Sequence, residues 1–217
     1  MLDLNEALRY LGAAGADGET RARMRQAAEE TESRFAPRYV YRVSQVEHRT
    51  EGEWLADAGL LLPGQSARKM LGECHRAAIL VCTLGLAFEG WLRMEMQRDM
   101  AHAVLLDACG SALVEAGCDR AQAEIAARFP GLYLTDRFSP GYGDLPLALQ
   151  PAICRLTDSQ RRLGVHVTPS LLMNPQKSVT AIIGLADTPQ RARIRGCAYC
   201  AMRNNCELRK GGRSCDD

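Results

Sequence analysis

The sequence lacks an excess of charge of either sign. Its 27 lysines and arginines nearly balance its 26 aspartates and glutamates, which leaves a formal net charge of +1. A nucleic-acid-binding surface needs basic residues gathered on one face, and this composition gives no basis for one. Lysine is scarce, with only Lys69, Lys177 and Lys210. We attach no functional meaning to the arginine bias and expect no nucleic-acid partner.

The sequence also lacks the features of an exported or membrane-spanning chain. Its first twelve residues contain no basic stretch followed by a continuous apolar run, so we expect no signal peptide. The longest nearly apolar run, residues 77–88, is too short to cross a bilayer. We expect a cytoplasmic protein without a membrane partner. In such a reducing compartment its nine cysteines indicate thiols, metal ligands or redox chemistry, and not a disulfide framework.

Histidine is scarce too. The four histidines, His48, His75, His102 and His166, are scattered, and no two have the spacing of metal ligands on one helix. We therefore assign none of them a catalytic role. Apolar residues make up 47% of the chain, which is typical of a globular protein.

The predicted elements come in mixed order. The predicted helices cover residues 5–11, 19–35, 66–72 (capped by Ser66) and 151–163. The predicted strands cover residues 38–45, 76–83, 165–171 and 178–185, and a predicted loop covers residues 46–64. The absence of a regular βαβ repeat favours an α+β fold. We predict a single domain over residues 1–190, with a twisted, mainly antiparallel sheet flanked by helices. A short Cys-rich tail follows over residues 191–217.

A long helical region covers residues 86–128. It exceeds the length of an ordinary globular helix, so we expect a break near Asp99 or at Gly117. A stripe of small residues within it predicts close helix packing; its members are Ala101, Ala108, Ala112 and Ala116, with Gly110 and Ser111 nearby. Glu115 interrupts the stripe. That carboxylate either lies in solvent at the edge of the stripe or faces a ligand.

A loop rich in glycine and proline covers residues 135–146, TDRFSPGYGDLP. Its two glycines and two prolines specify an unusual backbone path, and glycine allows a ligand to approach the main chain closely. Arg137 offers a planar donor fork that suits a carboxylate, and Tyr142 offers an apolar face with one polar tip. From these residues alone, the segment is either a rigid structural loop or a ligand-binding loop.

The C-terminal tail contains four cysteines within nineteen residues of polar sequence, Cys197-x2-Cys200-x5-Cys206-x8-Cys215. This spacing would allow four thiolates to surround one centre, either a tetrahedral zinc or an iron–sulfur cluster; unligated thiols are the alternative. The other five cysteines lie in apolar segments and are expected to be buried as small hydrophobic residues. They are Cys74, Cys82, Cys109, Cys118 and Cys154.

The glycine- and proline-rich loop resembles a known signature. Arg137, Gly141, Tyr142 and Pro146 match the Arg-x-x-x-Gly-Tyr-x-x-x-Pro motif of the S-adenosylmethionine-binding reactivation domain of cobalamin-dependent methionine synthase. A second block, residues 173–181 (MNPQKSVTA), is similar to the family's Met-x-Pro-x-x-Ser-Val segment. Shorter likenesses to standalone members at residues 9–12, 83–85 and 99–101 extend the resemblance over roughly residues 5–187.

The resemblance implies an accessory role in the reductive remethylation of inactive cob(II)alamin. The chain has no Asp-x-His-x-x-Gly segment, so the corrinoid would be carried by a separate methionine synthase or a related corrinoid protein. By carry-over, Arg137 would hold the methionine carboxylate of S-adenosylmethionine. Ser139, Pro140 and Gly141 would line the ligand, and Tyr142 would lie toward the corrin as the candidate catalytic residue. Glu115 is a further candidate ligand contact.

Other classes of S-adenosylmethionine-dependent protein lack support. No Gly-x-Gly-x-Gly follows a first strand, and no Cys-x3-Cys-x2-Cys run is present. The implied reaction consumes single electrons, which zinc cannot supply. A 4Fe–4S cluster in the tail is therefore favoured over zinc, with a flavodoxin or ferredoxin as candidate electron donor. The alternatives are a non-catalytic corrinoid-protein adaptor with a structural zinc tail, or an S-adenosylmethionine-binding protein acting on another partner.

Overall fold

The computed structural model describes residues 1–190 and Asn205. Its helices are α1 (Leu4–Tyr10), α2 (Gly18–Arg34), α3 (Gly64–Leu71), α4 (Leu86–Arg98), α5 (Met100–Arg128), α6 (Gln150–Leu156) and α7 (Ser159–Leu163). Its strands are β1 (Arg38–Arg49), β2 (Gly52–Leu55), β3 (Leu60–Pro63), β4 (Arg76–Thr83), β5 (Tyr133–Leu134), β6 (His166–Val167), β7 (Met173–Asn174) and β8 (Ser178–Ala186).

Six strands form the main sheet in the order β3-β2-β1-β4-β8-β5. The pairs β1–β2, β2–β3 and β5–β8 are antiparallel. The short strands β6 and β7 pair separately as a small antiparallel ribbon. The predicted α+β fold with a mainly antiparallel sheet is confirmed.

The described residues pack into two compact units that alternate along the chain. The first unit comprises Met1–Val40, Val81–Ala121 and Asp158–Val179. The second comprises Tyr41–Leu80, Gln122–Thr157 and the described chain from Thr180 on. The division predicted at residue 191 concerns a tail that, apart from Asn205, lies outside the described residues.

In the first unit, glycines on α5 allow the closest packing. A Cβ at Gly110 would lie 2.3 Å from the ring of the buried Phe88, and one at Gly117 would lie 2.5 Å from Pro37. Close packing along α5 is thus observed at Gly110, which accompanies the predicted stripe, and at Gly117. Of the predicted alanine stripe, Ala108 and Ala112 are buried, whereas Ala101 is exposed and Ala116 is only half-buried.

The predicted break in the long helical region occurs at Asp99. This residue has an extended backbone between α4 and α5, and its carboxylate accepts a hydrogen bond from the His102 N–H at 3.0 Å, as a helix N-cap does. The alternative break at Gly117 is wrong, since α5 continues to Arg128. Among the described helices, α5 is long and apolar enough to cross a membrane, but 61% of its most apolar stretch is buried, as in a core helix.

The predicted loop over residues 46–64 is wrong. Strand β1 continues to Arg49, and β2 and β3 complete an antiparallel ribbon. A charged residue faces inward here: Glu53 is 2% exposed and its carboxylate lies 2.5 Å from Nδ1 of His48, its cross-strand partner. A buried carboxylate breaks the apolar–polar alternation by which a strand is recognised in sequence.

Two further elements differ from prediction because of local turns. The helix predicted over 151–163 is two helices, since Asp158 adopts a left-handed conformation (φ 52°). The strand predicted over 165–171 ends at Val167. The Thr168 carbonyl accepts a hydrogen bond from the Leu171 N–H, and the Thr168 N–H donates one to the Leu172 carbonyl. With Leu171 at φ 63°, the chain reverses direction here.

Candidate functional site

The predicted ligand loop, residues 135–146, belongs to the second unit and is joined to β8 where it begins. The main-chain groups of Phe138 and Ile182 exchange two hydrogen bonds, of 3.1 and 2.8 Å. Thr135 adds two more to Gly184, one from its N–H and one to its hydroxyl oxygen. Phe138 is 4% exposed. Because successive side chains of an extended chain point to opposite sides, the half-buried Arg137 lies on the side opposite the Phe138 ring.

Hydrogen bonds within the loop fix its turn. The Tyr142 N–H donates to the Ser139 carbonyl at 3.1 Å, and the Gly141 N–H donates to the Leu145 carbonyl at 2.8 Å. Gly141 has φ +94°, a conformation that side-chain-bearing residues rarely adopt. Since both N–H groups are engaged inside the loop, main-chain contacts to a ligand at Gly141 or Tyr142 would use carbonyl oxygens. The Tyr142 carbonyl already accepts a hydrogen bond from the Leu145 N–H at 3.1 Å.

The end of the loop is joined to helix α3 through Asp144. Its carboxylate accepts hydrogen bonds from the N–H groups of Gln65 (2.6 Å) and Ser66 (2.8 Å), and its own N–H donates to the Ser66 hydroxyl. Two otherwise unpaired donors at the helix start are thereby satisfied. The approach requires Gly64, because a Cβ there would lie 2.7 Å from the Asp144 carboxyl carbon.

This contact corrects the predicted capping of α3. The helix begins at Gly64, two residues before Ser66, and the capping carboxylate comes from Asp144, 78 residues farther along the chain. Burial raises the pKa of the Asp144 carboxyl, but hydrogen bonds from Ser66 and Gln65 outweigh it and lower the pKa below its usual 3.8. Hydrogen bonds of this kind stabilise the ionised form.

The guanidinium of Arg137 is held by α5. Its Nη1 donates a 3.0 Å hydrogen bond to Oε1 of Gln122, which lies in the same unit. Arg137 is the residue predicted to bind a carboxylate, and it is half-buried. Sequence reasoning missed Gln122, because a single glutamine on a long helix carries no distinctive signal.

The remaining residues of the loop differ in exposure. Ser139 is half-buried and Pro140 is buried, whereas Gly141 is exposed. The side chain of Tyr142 is 62% exposed, which is unusual for an aromatic residue, and Leu147 nearby in sequence is 38% exposed. The loop thus combines a positioned cation with an exposed aromatic ring.

Residues 173–179 of the second sequence block lie in the first unit, where the block is joined to α5 and β4. The Lys177 ammonium lies 2.9 Å from Asp107 and 2.8 Å from the Ser111 hydroxyl, and its side chain is 16% exposed. The Ser178 hydroxyl donates to that of Thr83 at 2.8 Å. Asp107 therefore pairs with a lysine of this chain.

Glu115 lies on the α5 segment of the first unit and is half-buried. It is close to Glu6 of α1: burial raises the pKa of Glu6, and the negative charge of Glu115 raises it further. Its role as a ligand contact stays a prediction.

No group of three or more potential metal ligands occurs within residues 1–190. The predicted ligands Cys197, Cys200, Cys206 and Cys215 lie outside the described residues. The expectation for the other five cysteines is confirmed, since all are buried. Burial raises the pKa of Cys74 and of Cys109 to about 12, so both thiols are protonated at neutral pH.

A pocket of about 290 Å³ lies in the first unit between α1, α2 and α5. Its lining residues are Leu11, Thr20, Arg23, Ala101, Val104 and Leu105. It includes no residue of either matched sequence block and none of the predicted ligand-binding residues.

Comparisons with known proteins identify the fold. No protein-family profile and no curated protein matches the chain. A solved structure described as the MetH reactivation domain bound to AdoHcy is similar, with a TM-score of 0.61 and 16% sequence identity. The match covers 92% of this chain and 75% of that chain. At this identity the likeness establishes a shared fold.

Replacing Asp144 tests the junction between the loop and α3. Asp144→Ala should destabilise this junction by about 0.5–2 kcal/mol, as loss of a helix cap does, and Asp144→Asn less, because its amide oxygen still accepts. Faster hydrogen exchange at the Gln65 and Ser66 amides measures the effect. Glu47→Ala, which removes an exposed carboxylate paired with Arg49, is the control and should leave both amides protected.

The same junction should depend on pH. Because the folded-state pKa of Asp144 is lowered, its stabilising contribution is complete above the unfolded value of about 3.8 and is lost as pH falls through the lower folded value. Unchanged exchange in Asp144→Ala at pH 7 would contradict the assignment.

Proposed function

We propose that this protein binds S-adenosylmethionine and supports the reductive remethylation of inactive cob(II)alamin carried by a separate methionine synthase or related corrinoid protein. The observation that carries the proposal is the loop over residues 135–146. It presents the Arg137, Gly141 and Tyr142 signature on a fold shared with a reactivation domain that binds AdoHcy. AdoHcy is S-adenosylmethionine without its transferable methyl group, so the two ligands share the carboxylate and the nucleoside.

The chemistry of the loop fits such a ligand. Arg137 provides a permanent positive charge with a planar donor fork, and its hydrogen bond to Gln122 holds that fork in place. Gly141 leaves the main chain uncovered, so carbonyl oxygens can approach a ligand's polar groups. We assign Arg137, Ser139, Pro140, Gly141 and Tyr142 to the ligand contact and retain Glu115 as a candidate from the first unit.

Tyr142 is proposed to contact the partner's corrin. An aromatic ring exposed over 62% of its surface can pack against a flat, largely apolar macrocycle. The reaction requires one electron for each cob(II)alamin, after which the sulfonium methyl group passes to cobalt and leaves S-adenosylhomocysteine. The residues of this chain hold the sulfonium ligand and meet the corrin, which the partner supplies.

The tail over residues 191–217 is proposed as a separate metal-binding module following the domain of residues 1–190. Four thiolates at Cys197, Cys200, Cys206 and Cys215 suit a 4Fe–4S cluster, with zinc as the rival. A cluster would supply the single electron that the reaction needs, with a flavodoxin or ferredoxin upstream. We propose a cytoplasmic location, where such donors and corrinoid enzymes occur together.

Arg137→Ala tests ligand binding. Loss of a charge-assisted hydrogen bond to the ligand carboxylate should cost about 1.5–3 kcal/mol, or roughly ten- to a hundredfold in affinity. Calorimetric titration with S-adenosylmethionine measures it. Arg155→Ala, which removes an exposed arginine of α6, is the matched control and should bind normally. Equal affinity of folded Arg137→Ala and wild-type protein would remove this residue from the site.

Tyr142→Ala separates ligand binding from corrin contact. Remethylation of the partner's cobalamin should fall while affinity for S-adenosylmethionine largely persists, because the ring is proposed to face the partner. Tyr133→Ala, which removes another exposed tyrosine of the second unit, should leave both properties unchanged. A parallel loss of binding in Tyr142→Ala would place the ring in the ligand pocket instead.

The tail is tested by its colour. Anaerobically purified protein should absorb in the visible range and bleach with dithionite, and the double variant Cys197→Ser, Cys200→Ser should lose this absorption. That variant should still bind S-adenosylmethionine, because Arg137 and Gly141 lie in another segment. Colourless protein with one equivalent of zinc would contradict the iron–sulfur cluster and favour a structural zinc site in the tail.

A further inference from the structure

Gln122 is a residue of α5 that contacts the guanidinium of Arg137. Its side-chain oxygen accepts the 3.0 Å hydrogen bond from Nη1, in a partly buried position and across 15 residues of sequence. The two residues belong to different elements, a long helix and the ligand loop. Both elements are fixed independently, because Phe138 next to Arg137 is paired with β8.

A long arginine side chain has many rotamers, and a charged contact requires it to adopt one of them. The main-chain pairing at Phe138 fixes where the Arg137 side chain starts but not where the guanidinium lies. The hydrogen bond that Nη1 donates to the Gln122 side-chain oxygen supplies a second fixed point, at the far end of the side chain. A preorganised donor fork binds a carboxylate without first losing its rotational freedom.

The chemical identity of Gln122 matters as much as its position. A glutamate has nearly the same shape and would also hold the guanidinium, but its negative charge would neutralise it and compete with an incoming carboxylate. An amide oxygen orients the guanidinium without cancelling its charge. Glutamine is thus suited to a site in which the arginine must still attract an anion.

We infer that Gln122 is a positioning residue for Arg137. Through this pair, the site selects a nucleoside ligand that bears an amino-acid carboxylate and discriminates against the same nucleoside when the carboxylate is missing. The inference rests on the proposed function, in which Arg137 holds the carboxylate of S-adenosylmethionine. In this inference Gln122 acts on the ligand through the arginine, so its effect is confined to ligands that use the arginine.

Two ligands and two substitutions test this pair. Calorimetry compares S-adenosylmethionine with 5′-methylthioadenosine, which has the nucleoside and sulfur but no carboxylate. Gln122→Ala should weaken S-adenosylmethionine binding several-fold, and Gln122→Glu should weaken it on the order of tenfold or more, because a neutralised guanidinium loses its charge-assisted contact. Affinity for 5′-methylthioadenosine should stay within about twofold of wild type, because this ligand has no carboxylate and therefore makes no contact with Arg137 that could be lost.

The order of the two variants excludes a merely structural role. If Gln122 only filled space, the isosteric Gln122→Glu would bind like wild type and Gln122→Ala would be the weaker variant. Adding Gln122→Ala to Arg137→Ala should cause no further loss, since the first residue acts through the second. Glu124→Gln, at a neighbouring α5 position bonded to Tyr41, is the control and should leave both affinities unchanged.

The outcomes separate this inference from the proposed function. Wild-type protein that binds neither ligand would refute the proposed function. The role of Gln122 alone would be overturned if the wild-type protein binds S-adenosylmethionine but the Gln122 variants lose affinity equally for both ligands. It would also be overturned if the variants lose no affinity for either ligand. Melting temperatures identify any variant that fails to fold, and Gln122→Ala and Gln122→Glu provide independent tests if one does.

Discussion

The site depends on the main-chain pairing between Phe138 and Ile182. This one reciprocal contact turns a glycine- and proline-rich segment into a continuation of the sheet edge, and it places Arg137 opposite the buried Phe138 ring. Two hydrogen bonds between Thr135 and Gly184 add to it at the start of the loop. The loop is thus held at its start by β8 and near its end by α3.

Fixing a loop at both ends has an energetic consequence for binding. A segment that is ordered before the ligand arrives loses little conformational entropy when it binds, so more of the interaction free energy appears as affinity. The same arrangement leaves the tip, around Tyr142, exposed between the two fixed points. A rigid loop with an exposed aromatic tip suits a protein that must hold a small ligand and present it to a second surface.

Local patterns predicted the parts of the fold that local forces determine. The strand at β4 was predicted from an apolar run, and the helix break near Asp99 from the excessive length of the helical region. The ribbon of β2 and β3 was missed because Glu53 faces inward. Gln122 and Asp144 were missed because their partners lie 15 and about 78 residues away, and such contacts exist only once the chain has folded.

The most direct test of the central claim is a crystal structure of the protein with S-adenosylmethionine bound. The account predicts the ligand carboxylate about 2.7–2.9 Å from the Arg137 guanidinium, with the Arg137–Gln122 hydrogen bond intact and the ligand along residues 139–142. A ligand seated in the pocket between α1, α2 and α5, with Arg137 making no contact to it, would contradict the account.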